Sequence, residues 1–341
     1  MMKNKIENPF DYETLSNLPL TVELCGGIVA AIQTAIYQEK TINSFAPLRE
    51  PKRFVKANGQ YIVTEIRYGQ TFMNSYLDIT YPSADMAVRY PVVFYTHGGG
   101  FFGGSKTLGD PLAVGDAHNF MFEDIVGTGF TFVNVDYVLT PAGYFPDPLR
   151  QLAEAIDYCA EHAEALNLDM SRIAVMGSSA GAILTAQYGA LLVNPIYRER
   201  LQIQPKIDPA SVRCLVIDDA PLRTECFNWK MRSMMGNYLK TTDMSSDTAL
   251  SYNAYAFFNA DMKPCFFDAG PLDGFPEDML ACGEKLDALG VENEVFIPEE
   301  KLPHGFLNLA RENDEAARCE KRILAFLKKY INAAADPEAL K

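Results

Sequence analysis

Short apolar runs recur along the chain, and the period inside each run decides what it can become. Residues 61–69 (YIVTEIRYG) and 74–82 (NSYLDITYP) alternate apolar and polar positions across a short turn. That is the pattern of an antiparallel pair at a sheet edge. Further on the alternation disappears. VVFYTHG (92–98), FTFVNVDYV (130–138), RIAVMG (172–177), VRCLVIDDA (212–220), CFFDAG (265–270) and NEVFIP (293–298) are close to wholly apolar. Strands of this kind bury both faces. Helical patterns separate several of them, for example at 148–166 and 276–290. Strand and helix in alternation predict an α/β domain with a mostly parallel sheet covered on both sides.

Two stretches break this rhythm. Residues 1–50 read as helix and loop, with NPFDYETLSNLP offering caps and breaks. Between Pro221 and Pro264 the chain is rich in Met, Tyr and Asn and has no core strand; residues 226–240 (CFNWKMRSMMGNYLK) read as a helix. Such a segment either packs on the sheet as a surface helix pair or caps a pocket for an apolar ligand.

Composition narrows the partners. The chain has 341 residues, a length that suits one large core with a cap better than two independent domains. A net charge of −14 excludes the basic footprint that nucleic acid or an anionic membrane surface requires. The apolar stretch at 20–37 carries Glu23 and Gln33, so it reads as an amphipathic helix, neither a signal peptide nor a membrane span. Seven cysteines without a CxxC pair predict reduced thiols and a cytoplasmic setting.

Candidate chemistry begins at Gly177-Ser178-Ser179-Ala180-Gly181, a G-x-S-x-G motif between an apolar strand and an Ala-rich helix. A strand–turn–helix of this kind presents the central serine hydroxyl above the sheet, at a helix N-terminus. A serine needs a base to become a nucleophile. Of four histidines, His162 falls on a helix, His118 in a helix-like stretch and His97 just before a glycine run that it is placed to brace. His304, in LPHGF beyond the last strand, remains as the base for Ser179. The acid should follow a strand between them. Asp273, in the turn after CFFDAG, is favoured over Asp268, which sits within the strand or at its end. Attack on an ester would create an oxyanion that needs N–H donors. Gly99 and Gly100 of HGGGFFGGS, with the N–H of Ala180, could supply them, and Phe101 and Phe102 could wall the pocket.

These motifs carry a resemblance. HGGGF, DYVLTPAGYFPDPLRQ, GSSAG, AGPLDGF and HGF stand in the order and approximate spacing of the hormone-sensitive-lipase-like branch of α/β-hydrolase esterases, over about residues 60–330. The resemblance implies an α/β-hydrolase fold with a sheet of about eight strands, and a single domain over 1–341 in which 1–50 and 222–262 form a helical cap. It implies a triad of Ser179, Asp273 and His304 and an oxyanion hole at Gly99, Gly100 and Ala180. The activity implied is a serine carboxylesterase for small, short-acyl esters, working through an acyl-enzyme with no metal or organic cofactor.

Two departures mark a divergent member. An alignment on PL puts Gly270 where the family has its acid, and the family's Asp-Tyr-Arg-Leu-Ala-Pro-Glu is DYVLTPA here, which removes an ion pair. An amidase or small peptidase on the same triad, and a non-catalytic binding protein of the same fold, are the competing readings. Expected partners are a small-molecule ester and at most a second copy of the chain in a homodimer, with neither nucleic acid nor membrane.

Overall fold

The computed structural model describes residues 43–106, 120–272, 274–310 and 313–331. Nine strands join one sheet: β1 (Arg53–Val55), β2 (Tyr61–Arg67), β3 (Tyr76–Tyr81), β4 (Tyr90–Thr96), β5 (Thr131–Val135), β6 (Leu168–Ser178), β7 (Val212–Asp218), β8 (Cys265–Asp268) and β9 (Asn293–Phe296). Their order is β1-β2-β3-β5-β4-β6-β7-β8-β9. The pairs β1–β2, β2–β3 and β3–β5 are antiparallel, and every pair from β5–β4 to β8–β9 is parallel. All six apolar runs form the parallel part, and the two alternating runs form the antiparallel pair. That pair is not the outermost, however. The three exposed residues of β1 add a strand beyond β2, too short to announce itself by periodicity.

The described helices are α1 (Phe120–Gly127), α2 (Asp147–Glu161), α3 (Ala180–Val193), α4 (Pro195–Leu201), α5 (Trp229–Leu239), α6 (Asp247–Tyr252), α7 (Pro276–Ala288), α8 (Phe306–Leu309) and α9 (Asp314–Ile331). Strand alternation divides the core in two. Phe94, Val175, Leu215 and Phe267 face α2 and α3 with Leu152, Ile183 and Leu184. Their neighbours Val93, Met176, Val216 and Phe266 face α1 and α9 with Ile125, Ile323 and Leu327. Helix α3 is buried almost throughout, which suits its Ala-rich sequence: small side chains let it lie close on the sheet. Among the described residues no helix is long and apolar enough to cross a membrane. The six described cysteines are free thiols, and Cys25 lies outside the described residues.

This topology brings one edge of the molecule together. The carboxyl ends of β4, β6, β7 and β8 lie side by side, and the chain after each runs into a loop over that edge. In open α/β sheets, ligands bind at this end of the strands.

Candidate active site

Ser179 sits between β6 and α3 with φ 53° and ψ −113°, a left-handed conformation that a non-glycine residue adopts only when its surroundings enforce it. The enforcement is steric. A Cβ on Gly177 would lie 2.3 Å from the backbone of Gly181, and one on Gly181 would lie 1.9 Å from the carbonyl of Thr96. Both positions of the motif must therefore be glycine for the turn to close. Hydrogen bonds finish the job: Ser179 N donates to Asp218 O at 2.8 Å, and Thr96 Oγ1 donates to Gly181 O at 3.0 Å.

His304 is buried, in the loop between β9 and α8, and its Nε2 lies 2.9 Å from Ser179 Oγ. Phe275 meets the imidazole edge-on, with ring centroids 5.4 Å apart. On the opposite side of the ring, Nδ1 lies 3.0 Å from Oδ2 of Asp219. Asp219 immediately follows β7 and takes φ 56°, which turns its side chain out of the strand's alternation. It is completely buried, and backbone donors hold it: Phe275 N to Oδ1 at 2.7 Å, Gly270 N to Oδ2 at 3.0 Å and Gly305 N to Oδ2 at 3.3 Å. Such an arrangement of N–H groups suits a carboxylate.

The sequence reading did not find Asp219. Asp273 lies outside the described residues. Asp268 is the last residue of β8 and completely buried, in register with Asp218 of β7. By strand alternation both carboxyls follow Val216 and Phe266 onto the α9 side of the sheet, away from the imidazole. Burial pushes the Asp218 carboxyl up to about 6. Burial, together with the neighbouring Asp218, raises Asp268 well above the usual carboxylate range. The two residues stand in register beneath the site, and burial raises both carboxyls. In VIDDA the two adjacent aspartates fall on opposite faces of a strand, so this strand end offers a second carboxylate, although the sequence does not fix where it points.

The glycine loop after β4 packs against the serine turn. A Cβ on Gly98 would lie 3.2 Å from Ser179 Cβ. Gly99 and Gly100 take φ 107° and 60°. Their side-chain hydrogens are needed as well as their φ: a Cβ on Gly99 would lie 2.3 Å from Gly103 O, and one on Gly100 2.4 Å from the Phe102 ring. Among the described residues the N–H groups of Gly99, Gly100 and Ala180 donate to no acceptor, whereas Phe102 N and Gly103 N both close onto Gly99 O at 3.0 Å. His97 braces the loop as expected, with Nδ1 2.7 Å from Gly98 O, Nε2 3.2 Å from Asp136 Oδ1 and its ring stacked on Tyr137.

Phe101 is placed differently from a pocket wall. Its ring is completely buried and stacks on Tyr238 of α5 at 3.6 Å, and its carbonyl accepts from Thr140 N at 2.8 Å. The φ of 65° at Phe101 aims the ring into the protein. Phe102 is nearly buried and packs over Gly100. His162 caps the end of α2 with Nδ1 facing Tyr158 O, far from this chemistry, and His118 lies outside the described residues. Among the described residues no group of three or more His, Cys, Asp or Glu is arranged to hold a metal ion.

Comparison with known proteins bears on the fold and the family. A family model of the alpha/beta hydrolase fold matches residues 93–308. The chain is 31% identical over 252 residues to a carboxylesterase of Mycobacterium tuberculosis, NlhH, covering 71% of this chain and 75% of that protein. It is 28% identical over 257 residues to the esterase LipI of the same organism, covering 74% and 76%. Among solved structures, esterase B of Lactobacillus rhamnosis superposes with a TM-score of 0.70 at 17% identity, over 97% of this chain and 99% of that one.

Proposed function

Because the chain belongs to the alpha/beta hydrolase fold family, with a carboxylesterase among relatives that match most of its length, we propose that it is a serine carboxylesterase acting through Ser179, His304 and Asp219. The observation that carries the reading is the continuous relay of Ser179 Oγ, His304 and Asp219 at 2.9 and 3.0 Å on a turn that holds the serine in a strained conformation.

Each step uses an atom already in place. Ser179 Oγ attacks the ester carbonyl carbon while its proton passes to His304 Nε2. Asp219 fixes the imidazole with Nδ1–H inward and stabilises the imidazolium that forms. The carbonyl oxygen becomes an oxyanion, and the N–H groups of Gly99, Gly100 and Ala180 are the donors proposed for it. The tetrahedral intermediate collapses as His304 returns the proton to the departing alcohol, leaving an acyl-Ser179. Water, deprotonated by the same imidazole, then releases the acid.

In this reading Asp219 takes the part that the sequence assigned to Asp273. Residues 222–262 are proposed as the cap that selects substrate, and the stack of Phe101 on Tyr238 supports a close link between them and the catalytic loop; of the expected cap segment 1–50, residues 1–42 lie outside the described residues. Short acyl groups are the proposed preference, since Phe102 closes over the glycine side of the site. The free thiols support a cytoplasmic location.

A p-nitrophenyl ester series of increasing acyl length, run with Ser179→Ala as control, tests the reading. Turnover should peak at short chains and fall by roughly 10⁶-fold in the variant. A maximum at long chains rejects the short-acyl preference. Hydrolysis independent of Ser179, or faster turnover of a matched anilide, rejects the esterase.

A further inference from the structure

Behind the glycine loop lies a buried group of charges that the reaction just described does not use. Strand β2 breaks register between Val63 and Ile66, and at this bulge Glu65 takes φ 60° and turns its carboxylate into the protein. There it meets Lys106, which follows the glycine loop: Nζ lies 2.8 Å from Glu65 Oε1, and both side chains are fully buried. Two further carboxylates face the same ammonium, Asp78 Oδ1 and Asp136 Oδ2, each at 3.9 Å. Asp78 also accepts from Glu65 N at 2.7 Å, and Arg49, at the protein surface, bonds its Oδ2 at 2.5 Å. Asn134 Nδ2 donates to the carbonyl of Lys106 at 2.6 Å and ties that residue to β5.

A buried ion pair is costly to assemble, and apolar residues of the same shape often stabilise a fold as well or better. Burial raises the Glu65 carboxyl above its usual range even against the pull of Lys106. The arrangement therefore calls for a reason other than stability, and its far end supplies one. Asp136 divides its oxygens: Oδ2 faces Lys106, while Oδ1 lies 3.2 Å from His97 Nε2. The other ring nitrogen of His97 lies 2.7 Å from Gly98 O. The Tyr137 hydroxyl donates to His97 O at 2.7 Å and its ring stacks on the imidazole. The path from the β2 bulge thus ends on the residue before Gly99.

We propose that the buried Lys106–Glu65 pair is a positioning device for the oxyanion loop: it holds Asp136, and through Asp136 and His97 it sets the direction of the Gly99 and Gly100 N–H groups. This rests on the esterase reading of Ser179. Lys106 and Glu65 touch no reacting atom, so they act on the transition state only through the loop. A loop slightly out of line should weaken oxyanion binding and leave ester binding intact.

The test is the double variant Lys106→Met/Glu65→Gln, which removes both charges at nearly constant volume, so that neither is left buried alone. Circular dichroism melts establish that it folds. Expected is a kcat about tenfold to a hundredfold below that of the unaltered protein, with KM changed by less than about twofold. Affinity for a trifluoromethyl ketone, which forms a tetrahedral adduct, should fall by the same factor as kcat/KM. A folded double variant with unaltered kcat, or one whose loss lies in KM alone, overturns the proposal. Should the double variant not fold, Asp136→Asn takes its place, and unaltered kcat in that folded variant overturns it equally. Absence of Ser179-dependent ester hydrolysis in the unaltered protein would instead fell the esterase reading, and this inference with it.

Discussion

The ends of β7 and β8 are neighbours in register, and each closes on an aspartate, Asp218 and Asp268. One residue later they part. Strand β7 continues with Asp219, whose positive φ brings a carboxylate to His304, while β8 continues with Ala269 and Gly270, which offers only an N–H. That N–H donates to Asp219, so the two ends are complementary: one presents the charge and the other receives it. Glycines make the room. A Cβ on Gly274 would lie 2.4 Å from Asp219 Oδ2, and one on Gly270 2.0 Å from Pro303 O. The missing side chain at Gly274 leaves room for the carboxylate arriving from β7, and the one at Gly270 leaves room for the loop that carries His304. The lesson is that an active-site acid is specified by where its oxygens must be, and more than one strand end can deliver them.

The sharpest way to break this comparison is to remove each carboxylate in turn. Asp219→Asn should lower kcat by about 10⁴-fold, because the amide supports the wrong imidazole tautomer. Asp273→Asn should leave kcat within about tenfold of the unaltered enzyme. Ester kinetics on both variants decide the matter, and the reverse ranking returns the role to Asp273. A smaller effect is expected from Gly274→Ala. Its methyl group presses on the Asp219 carboxylate, and a shift of that size near a reacting group costs about tenfold to a hundredfold in kcat. Unchanged kcat would mean that the turn moves aside instead of the acid.

The smallest effect concerns the pair beneath the site. Folded Asp218 and Asp268 bind a proton more tightly than they do unfolded, with burial the leading cause. Their native pKa values are raised, so the favourable contribution is complete below the unfolded value near 4. The share of Asp218 is lost as pH rises through about 6, and that of Asp268 as pH rises through its own raised native value. In Asp268→Asn the amide donates to Asp218 without titrating. Melting temperatures between pH 5 and pH 8 should accordingly decline less than those of the unaltered protein. Identical slopes would mean that the pair does not hold its proton in the fold.

Much of this was legible in the sequence. Largely apolar runs marked the parallel strands, because the central ones are covered on both faces; the edge strand β9 carries Asn293 and Glu294 and is only half-buried. The serine turn was legible for a steric reason, since Gly177 and Gly181 admit no other residue. His304 followed by elimination among four histidines. Asp219, the acid proposed here, was not singled out, because its reach to His304 depends on a single backbone angle. A residue continuing the strand there would have pointed elsewhere, and nothing in VIDDA fixes that angle. Phe101 misled for a related reason. An aromatic beside oxyanion glycines suggests a pocket wall, but its positive φ sends the ring inward to Tyr238.

The stack between Phe101 and Tyr238 bears on how new specificities can be engineered here. Phe101 belongs to the loop that follows β4 and Tyr238 to α5, more than a hundred residues later, yet their rings lie 3.6 Å apart and nearly parallel. The backbone of Tyr238 also accepts from Phe145 N at 3.0 Å. Residues 222–262 are therefore not an interchangeable cassette. A chimaera that imports this segment from another esterase inherits a stranger to Phe101, and the grafted boundary must carry Tyr238 with it or exchange both rings together.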